Sequence, residues 1–561
     1  MQRIVVVGSG AASAKVAARV KRLAPEVEVN WIIPEVETGK GDGPFARLSA
    51  SRRVSSALIE ARQVGIIPAE EVELDFTGKQ VTVHAPRGML QIRFNQLVLE
   101  VGAEPRIPRT LRAADNVVPW PVDEGAALDA WLAERAPEKV VVVGGRHAAA
   151  LLAPLQDSGF AVTWLRTSDD GLDADMWRVW ARRVTECAHG SVEIVDWSAA
   201  CGVAGADALS AVLSEDGSLK GLQGGGENAG MVEGDVFFWT DPLRALHPVI
   251  AEEGVELDAQ GCIAVDAQFR TGVEGLYIIG SGVAVPRSEI AGHPAPGMGA
   301  SEDAAVLASA RVVASSLADS AGIAVLQADG GAETVGLRQM EASGLVAVSA
   351  GLTAEEASRA GHEPEFSLLS AVPHGIKGED SPIALKLLCD KASHLVLGIQ
   401  AVGTAGNGWL ESAINPVVAA LSAGGNLTVD RLATLQLAGG GAELLRRAAS
   451  MLSNKLLNRF YGISADELLA SREAGASFFI LDLRDSVAWR AGHIEDAYNI
   501  PYPQLKKRLQ DEVPRFTPIV LVGRGSDDAF SAACQLYGLG ATELYVLDGG
   551  MALWPHEVVK G

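Results

Sequence analysis

The fold is decided by the stretch Ile4-Val5-Val6-Val7-Gly8-Ser9-Gly10-Ala11-Ala12-Ser13. Its apolar half predicts a buried strand, and the residues after the glycine turn place Val16, Val20 and Leu23 on one face of a helix. This order is typical of dinucleotide-binding domains, because the turn brings backbone N–H groups at the start of a helix close to a pyrophosphate. A single glycine turn is a weak signal, so the rest of the chain has to support it.

A second unit of the same kind begins at residues 138–145, which read Glu-Lys-Val-Val-Val-Val-Gly-Gly. From about residue 330 to 440 the pattern changes to a helix start at 352–357 and two apolar strands at 385–390 and 395–403. These patterns predict an α/β chain in which two dinucleotide-binding units are followed by a domain of a different kind.

Length and composition exclude several classes of function. The chain has 561 residues, which suggests several domains, and a net charge of -23, which makes nucleic acid and anionic membranes poor partners. No apolar run reaches membrane-spanning length, and Met1 leads directly into a strand, so we expect no signal peptide. The cysteines have neither Cys-x-x-Cys nor metal-ligand spacing, so we expect a reducing cytoplasm and no metal site. They are Cys187, Cys201, Cys262, Cys389 and Cys534.

Several stretches resemble known families. Residues 94–105 resemble the crossover motif (Y/F)DxLxxATGAxP of flavoprotein disulfide reductases, and residues 263–266 and 271–280 resemble the strand that returns to their flavin. The stretches that resemble a rhodanese-like domain are 480–484, 492–501 and 546–550. Taken in order, nearly the whole chain resembles the coenzyme A disulfide reductases and NAD(P)H persulfide reductases that carry a rhodanese domain.

The resemblance implies an α/β fold class with two nested Rossmann-like dinucleotide-binding domains, an α+β dimerisation domain and an α/β rhodanese-like domain. The implied limits are 1–112 with 245–325 for a discontinuous FAD-binding-like domain, 113–244 for an NAD(P)-binding-like domain, 326–440 for the dimerisation domain, 441–470 for a helical connector and 471–561 for the rhodanese-like domain.

The thiol chemistry of this family is the first point of departure. In the family, a flavin takes hydride from a nicotinamide and passes electrons to a cysteine that attacks the disulfide or persulfide. The cysteine motif Asn-Cys-Gly-Leu-Pro-Tyr matches residues 40–45, where Gly41 replaces the thiol. The tyrosine segments match 374–378 and 437–441 without a tyrosine, and we interpret His374 as an ordinary loop histidine. We therefore predict no catalytic residue here.

The rhodanese-like loop is the second departure. Active members carry Cys-x-x-Gly-x-Arg after the apolar strand, so that backbone N–H groups and the arginine hold an anionic persulfide. In this chain Gly523 takes the place of the cysteine and Asp528 that of the arginine. A carboxylate repels an anionic substrate, so we predict a domain that folds without transferring sulfur.

The second nucleotide turn also departs from its pattern. It reads Gly144-Gly145-Arg146-His147-Ala148-Ala149, where close approach of a pyrophosphate wants glycine at 146 and 149. Arg166 replaces the acid that holds the ribose of NAD. It could accept the 2′-phosphate of NADP, but we favour a surface arginine beside a closed site, and we do not expect NAD(P)H to bind.

The flavin site is the least altered, so FAD is the cofactor that we consider. The candidate cofactor-binding residues are Gly8, Gly10, Ala12, Ser13, Glu35, Gly102, Gly280 and Ser281. Two losses weaken the site, because the position expected to carry the ribose-binding acid is near Ile33 and the family's Gly-Asp pair reads Gly280-Ser281. Glu35 or Glu37 partly compensates for these losses if the end of the strand shifts.

Three hypotheses for function remain open. One is a scaffold or regulatory subunit that keeps the shell of a disulfide or persulfide reductase without reductase or sulfurtransferase activity. The alternative is an FAD-dependent oxidoreductase that moves electrons, with a protein redox partner, without a redox cysteine. A reductase with relocated thiols is disfavoured, because no cysteine lies near either site in sequence. The family implies a homodimer, or a heterodimer with a related subunit.

Overall fold

The computed structural model of the chain divides into two compact units. Unit 1 comprises 1–170, 188–287 and 297–334, and unit 2 comprises 171–187, 288–296 and 335–561. The residues described are 2–34, 63–120, 125–167, 171–189, 191–198, 209–214, 217–224, 230–240, 243–245, 247–258, 261–284, 289–291, 293–294, 303–323, 335–371, 383–406, 408–424, 427–514 and 517–561. Each unit is described by itself.

Strands dominate unit 1. In chain order they are β1 (Arg3–Val7), β2 (Glu28–Pro34), β3 (Gly65–Ala69), β4 (Glu71–Asp75), β5 (Gln80–Ala85), β6 (Gly88–Arg93), β7 (Gln96–Glu100), β8 (Ala103–Pro105), β9 (Val117–Pro119), β10 (Lys139–Val143), β11 (Ala161–Arg166), β12 (Val192–Asp196), β13 (Ser210–Leu213), β14 (Leu219–Gln223), β15 (Met231–Glu233), β16 (Val236–Trp239), β17 (Leu243–Ala245), β18 (Ile263–Ala264), β19 (Leu276–Ile279) and β20 (Val283–Ala284).

Unit 2 continues the numbering with β21 (Glu289–Ile290), β22 (His293–Pro294), β23 (Arg338–Ala342), β24 (Leu345–Gly351), β25 (Pro364–Ala371), β26 (Ile383–Asp390), β27 (Val396–Thr404), β28 (Tyr461–Ile463), β29 (Phe479–Asp482), β30 (Tyr498–Asn499), β31 (Ile519–Val522) and β32 (Leu544–Leu547). The α-helices of the chain are α1 (Ala11–Leu23), α2 (Gly125–Arg135), α3 (Ala149–Asp157), α4 (Ala174–Cys187), α5 (Asp303–Ser320), α6 (Ala354–Arg359), α7 (Trp409–Ser422), α8 (Val429–Thr434), α9 (Gly440–Leu456), α10 (Ala465–Glu473), α11 (Ser486–Ala491), α12 (Tyr502–Glu512) and α13 (Asp527–Gly538).

The first sheet of unit 1 has the order β19-β7-β1-β2-β3, and its strands are parallel. Ile4, Val5 and Val6 of the central strand are fully buried, as expected for a parallel sheet covered on both faces. Helices α1 and α5 pack against each other beside it. Because ligands of open parallel sheets bind beyond the carboxyl ends of the strands, the turns after β1 and β7 are the place to look for a site.

The second sheet of unit 1 repeats the plan with the order β12-β11-β10-β16-β9, again parallel. The first turn follows β1, which pairs with β2 and β7, and the second follows β10, which pairs with β11 and β16. The prediction of two Rossmann-like units is therefore confirmed.

Unit 2 contains two further sheets. The antiparallel sheet β23-β24-β27-β26-β25 packs against α7 and α9, and the parallel sheet β28-β32-β31-β29-β30 belongs to the rhodanese-like segment. Helix α9 buries Leu444, Leu445, Met451 and Leu452 in the core of unit 2. No helix of the described residues is long and apolar enough to cross a membrane.

Candidate functional site

The first glycine turn lies at the carboxyl edge of the first sheet and is held in place by its neighbours on the sheet. The Gly8 N–H donates to the Ile32 carbonyl at 3.1 Å. The indole N–H of Trp31 donates to the Gly8 carbonyl at 2.8 Å, and Trp31 is only 1% exposed. The turn thus has the backbone shape that the sequence predicts, and Ala12 and Ser13 are fully buried in the first turns of α1.

A carboxylate occupies this turn. The Gly10 N–H donates to Glu100 Oε2 at 2.8 Å, and the Ser13 hydroxyl donates to the same oxygen. A Cβ atom at Gly8 would lie 2.5 Å from Glu100 Cβ, and one at Gly10 would collide with the Glu100 carboxylate. Glu100 therefore fills the concave side of the turn and takes up donors at the start of α1.

This arrangement does not fit a dinucleotide. The pyrophosphate of FAD is an anion that the family holds with backbone N–H groups of this turn, and the Glu100 carboxylate already accepts from one of them. Two anions cannot share the same donors without strong repulsion. The residues present thus do not fit FAD while Glu100 stays in the turn.

The other predicted flavin-site residues lie beside this turn, after β7 and β19. Gly280 has φ +109°, and a Cβ there would collide with the Val101 carbonyl, so glycine is required by the close approach of two backbones. The Ser281 hydroxyl accepts from the Ala103 N–H at 3.1 Å, which joins the two segments. Gly102 is exposed, with open space where a Cβ would point. The structure brings these residues to one edge of the sheet.

Glu100 is the residue that sequence reasoning missed. Its signal was present, because the crossover motif (Y/F)DxLxxATGAxP places an alanine where this chain has Glu100. An alanine leaves the turn open, whereas a glutamate at the end of β7 can reach it.

The second glycine turn repeats the bracing of the first. The Gly144 N–H donates to the Leu165 carbonyl at 3.1 Å, and the Trp164 indole donates to the Gly144 carbonyl at 2.9 Å. Arg146 begins a short 3-10 helix, Arg146–Ala148, directly after the two glycines. Side-chain-bearing residues thus follow the turn where the family pattern wants glycine.

Our prediction of Arg166 as a surface arginine is wrong. It is 5% exposed, and its Nη1 lies 2.9 Å from Asp196 Oδ2 and 2.8 Å from Ser198 Oγ. The parallel pairing of β11 with β12 sets Arg166 beside Asp196. The guanidinium of Arg166 is therefore paired with the carboxylate of Asp196 in the same chain.

Several predicted positions lie outside the described residues, namely Glu35, residues 40–45 with Gly41, and residues 374–378 with His374. The segment 437–441 is described. Here Gly441 packs so closely against α7 that a Cβ would collide with the Trp409 carbonyl. The tyrosine of the family segment matches Gly439, which has φ +101°, and a Cβ there would lie 2.9 Å from Ser412 Cβ.

Three of the four described cysteines are poor nucleophiles, whereas Cys187 is exposed. Burial raises the pKa of Cys262 and of Cys389 to about 12, and it also raises the pKa of Cys534. A thiol reacts as its thiolate, so a raised pKa suppresses attack at neutral pH. Among the described residues, no group of three or more His, Cys, Asp and Glu side chains could hold a metal ion.

The rhodanese-like loop follows β31, as the sequence predicts. Gly523, in the place of the family's cysteine, is buried, and a Cβ there would lie 2.5 Å from the Gly525 carbonyl oxygen. Asp528 is exposed in the first turn of α13, where the helix dipole favours its negative charge.

Strand β25 of the neighbouring sheet closes one side of this loop. The buried Ser526 hydroxyl donates to the Leu368 carbonyl at 2.8 Å and accepts from the Gly549 N–H at 3.1 Å. The Ser370 hydroxyl donates to the Gly549 carbonyl at 3.0 Å, and a Cβ at Gly525 would collide with the Ser370 carbonyl. The Ser526 side chain therefore joins the loop to β25.

Comparisons with known proteins agree with this architecture. The family model for pyridine nucleotide-disulphide oxidoreductases matches residues 2–299, and that for rhodanese-like domains matches residues 464–557. The thiosulfate sulfurtransferase GlpE of Pseudomonas syringae pv. syringae (strain B728a) is 31% identical over 109 residues, which are 19% of this chain and 100% of GlpE.

Two solved structures share the fold over nearly the whole chain. The reduced CoADR-RHD of Bacillus anthracis has a TM-score of 0.77 at 20% identity and covers 100% of this chain and 99% of its own. A NAD-dependent persulfide reductase from A. fulgidus has a TM-score of 0.78 at 22% identity, covering 99% and 100%. Because this second protein is NAD-dependent, the comparison does not support our expectation that NAD(P)H does not bind. The chain belongs to the pyridine nucleotide-disulphide oxidoreductase family and carries a rhodanese-like domain.

Proposed function

We propose that this protein is a disulfide/persulfide reductase homologue without thiol-based reductase or sulfurtransferase activity, and that it acts as a scaffold or regulatory subunit. The rhodanese-like loop carries this proposal. It has glycine at the nucleophile position, and the Ser526 hydroxyl, which donates to the Leu368 carbonyl, joins it to strand β25. A loop that transfers sulfur needs a thiolate where this chain has Gly523.

The reductase half supports the same conclusion from a different site. Gly41 matches the family's redox cysteine in sequence, and the buried thiols of Cys262 and Cys389 have pKa values near 12. Neither of these two thiols is therefore available as a thiolate to form a mixed disulfide with a substrate. Losses at two separate sulfur centres are better explained by a lost demand for sulfur chemistry than by a change of substrate.

Sulfur transfer from thiosulfate to cyanide tests the proposal. We expect no turnover from the native chain, which lacks the thiol, and none from Gly523→Cys alone, because Asp528 repels the anion. Gly523→Ala is the matched control, since it introduces the same Cβ without a thiol, and circular dichroism checks that all variants fold. Activity gained only when Gly523→Cys is combined with Asp528→Arg would support the proposal. Turnover by the native chain would overturn it.

The second candidate function is an FAD-dependent oxidoreductase that moves electrons without a redox cysteine. Family membership and the NAD-dependent relative favour it, as do the surviving Gly8 and Gly10. Glu100 in the turn speaks against it. Absorbance of the purified protein near 450 nm, with the flavin released on heating, distinguishes the two candidates. Stoichiometric FAD that is reduced by NADH or NADPH would favour the oxidoreductase.

The assembly is part of the same proposal. We infer a homodimer, or a heterodimer with a related subunit, because family members lend residues across a dimer. We also propose that the protein is located in the cytoplasm, as its scattered cysteines indicate. Light scattering of the purified chain, alone and mixed with an active relative, measures the assembly. A monomer under both conditions would argue against a regulatory subunit.

A further inference from the structure

We propose that Glu100 is an internal occupant of the anion site in the first glycine turn, and that its carboxylate closes the turn to the pyrophosphate of a nucleotide. Neutralising or shortening this side chain would then open the site to FAD and to ADP. The inference concerns nucleotide binding in unit 1 and does not depend on the sulfur chemistry proposed above.

The contacts of Glu100 resemble those that an anionic ligand would make. Its Oε2 accepts from the Gly10 N–H at 2.8 Å and from the Ser13 hydroxyl. Gly10 is the N-cap residue of α1, so the positive end of a helix of 13 residues faces the carboxylate. The helix end is therefore neutralised from within the chain.

Sheet register explains why Glu100 reaches the turn. The pairing of β1 with β7 sets Val7 beside Leu99, so the next residues, Gly8 and Glu100, lie side by side. A Cβ at Gly8 would lie 2.5 Å from Glu100 Cβ. The side chain needs only its own length to span from the neighbouring strand to Gly10.

The second nucleotide-binding sheet provides an internal reference. Its register sets Val143 beside Trp239, so Thr240 stands beside Gly144 as Glu100 stands beside Gly8. The hydroxyl of the buried Thr240 donates to the Val143 carbonyl at 3.0 Å. The same position in the same fold therefore holds a short side chain that satisfies its own strand, and the carboxylate is particular to the first turn.

Geometry and charge both exclude a pyrophosphate. The carboxylate lies where a Cβ of Gly10 would point, so it uses the space that the glycine leaves for close approach of a ligand. A phosphate oxygen brought to the same N–H would meet a second anion at hydrogen-bonding distance. Nucleotide binding through this turn thus requires displacement of Glu100 and the loss of its two hydrogen bonds.

Nucleotide titration of the full chain tests this inference, with ADP and FAD as ligands and calorimetry and flavin fluorescence as readouts. We expect the native protein to be purified with little flavin, and Glu100→Ala to bind ADP and FAD at least tenfold more tightly. Glu100→Gln should give a smaller gain, because the amide oxygen can still accept from the Gly10 N–H. Adenosine, which lacks phosphate, should bind the native chain and both variants equally.

The matched control is Glu26→Ala, which changes the net charge by the same amount from an exposed position just before β2. It should leave ADP affinity unchanged. Native protein carrying stoichiometric FAD would overturn the inference, as would equal ADP affinity of the native chain and the variants. If Glu100→Ala does not fold, Glu100→Gln alone decides, since it keeps the shape of the side chain. The two proposals fail separately. Sulfurtransferase activity would contradict the proposed function but not the role of Glu100, whereas bound FAD would contradict the role of Glu100 but not the proposed loss of sulfur chemistry.

Discussion

The two glycine turns of unit 1 share one plan and differ in what fills them. Each follows a buried parallel strand, each donates its first glycine N–H to the next strand, and each accepts an indole N–H, from Trp31 at 2.8 Å and from Trp164 at 2.9 Å. The first turn is filled by Glu100 from a neighbouring strand, whereas the second is altered in its own residues from Arg146 onward.

This difference teaches how a nucleotide fold can keep its shape after its site has closed. The strands, the helix and the tryptophan brace define the turn without a ligand, so the backbone persists in both copies. A side chain that enters from outside the turn can be removed by one substitution. Residues that belong to the turn itself, such as Arg146, cannot be replaced so simply, because each of them also determines where the following helix begins.

The largest expected effect on stability concerns Trp31 and Trp164, whose indole N–H groups donate to the first glycine of each turn. Trp31 and Trp164 are at most 1% exposed, and replacing either by alanine should lower the free energy of unfolding by about 3–5 kcal/mol through the lost burial and the cavity. Phenylalanine at either position keeps most of the ring and removes the indole bond, which should cost about 1 kcal/mol. Urea unfolding of the full chain measures both. A cost below about 1 kcal/mol for one alanine variant would show that the turns are not braced alike.

The next largest effect on stability is expected at the ion pair of Arg166 with Asp196. Variants of this pair also test whether the second turn still binds a nucleotide. Replacing Asp196 by asparagine removes the charge that pairs with Arg166, whose side chain is 7% exposed, and we expect a loss of about 1–3 kcal/mol in unfolding free energy. The Asp196 carboxylate is itself 38% exposed, so solvent screening favours the lower end.

Nucleotide preference is the second readout for Arg166. If the guanidinium serves only Asp196 and Ser198, Arg166→Met should change the affinities for NADPH and NADH equally. A loss confined to NADPH would instead revive the hypothesis that Arg166 holds a 2′-phosphate. Glu193→Gln on the exposed face of β12 is the matched control for Asp196→Asn, because it removes one negative charge from the same strand.

Local patterns in the sequence predicted the elements of this fold well. The apolar runs before Gly8 and Gly144 are buried strands, and the rhodanese-like stretches form one parallel sheet. These features depend on residues close together in the chain, where periodicity and turn chemistry are sufficient. The α/β class follows from their alternation.

Contacts between distant segments were beyond such reasoning. Glu100 lies 90 residues from Gly10, and Ser526 lies 158 residues from Leu368, so each contact depends on strand register or on packing between sheets. Arg166 was misplaced for the same reason, since only the pairing of β11 with β12 brings Asp196 to it. A charged residue on a strand can be recognised in the sequence, but its partner cannot.

The smallest predicted effect is also the most specific for the first turn. Gly10 has φ -86°, which alanine adopts freely, so the cost of Gly10→Ala arises from the collision of its Cβ with the Glu100 carboxylate. In a Glu100→Ala background that collision is gone. We therefore expect the two substitutions to be coupled by about 1 kcal/mol in unfolding free energy, with Gly10→Ala less costly in the double variant.

Gly8→Ala is the control that separates crowding from backbone strain. Its φ is +153°, and the new Cβ would lie 2.6 Å from Ser13 Oγ as well as 2.5 Å from Glu100 Cβ, an atom that alanine at position 100 retains. The Glu100 carboxylate also lies 2.7 Å from that Cβ, so Glu100→Ala should relieve the cost of Gly8→Ala only in part, while the strain from its φ remains. Additive behaviour of Gly10→Ala and Glu100→Ala would mean that the carboxylate does not lie in the turn, and the distinction drawn between the two turns would then rest on Arg146 alone.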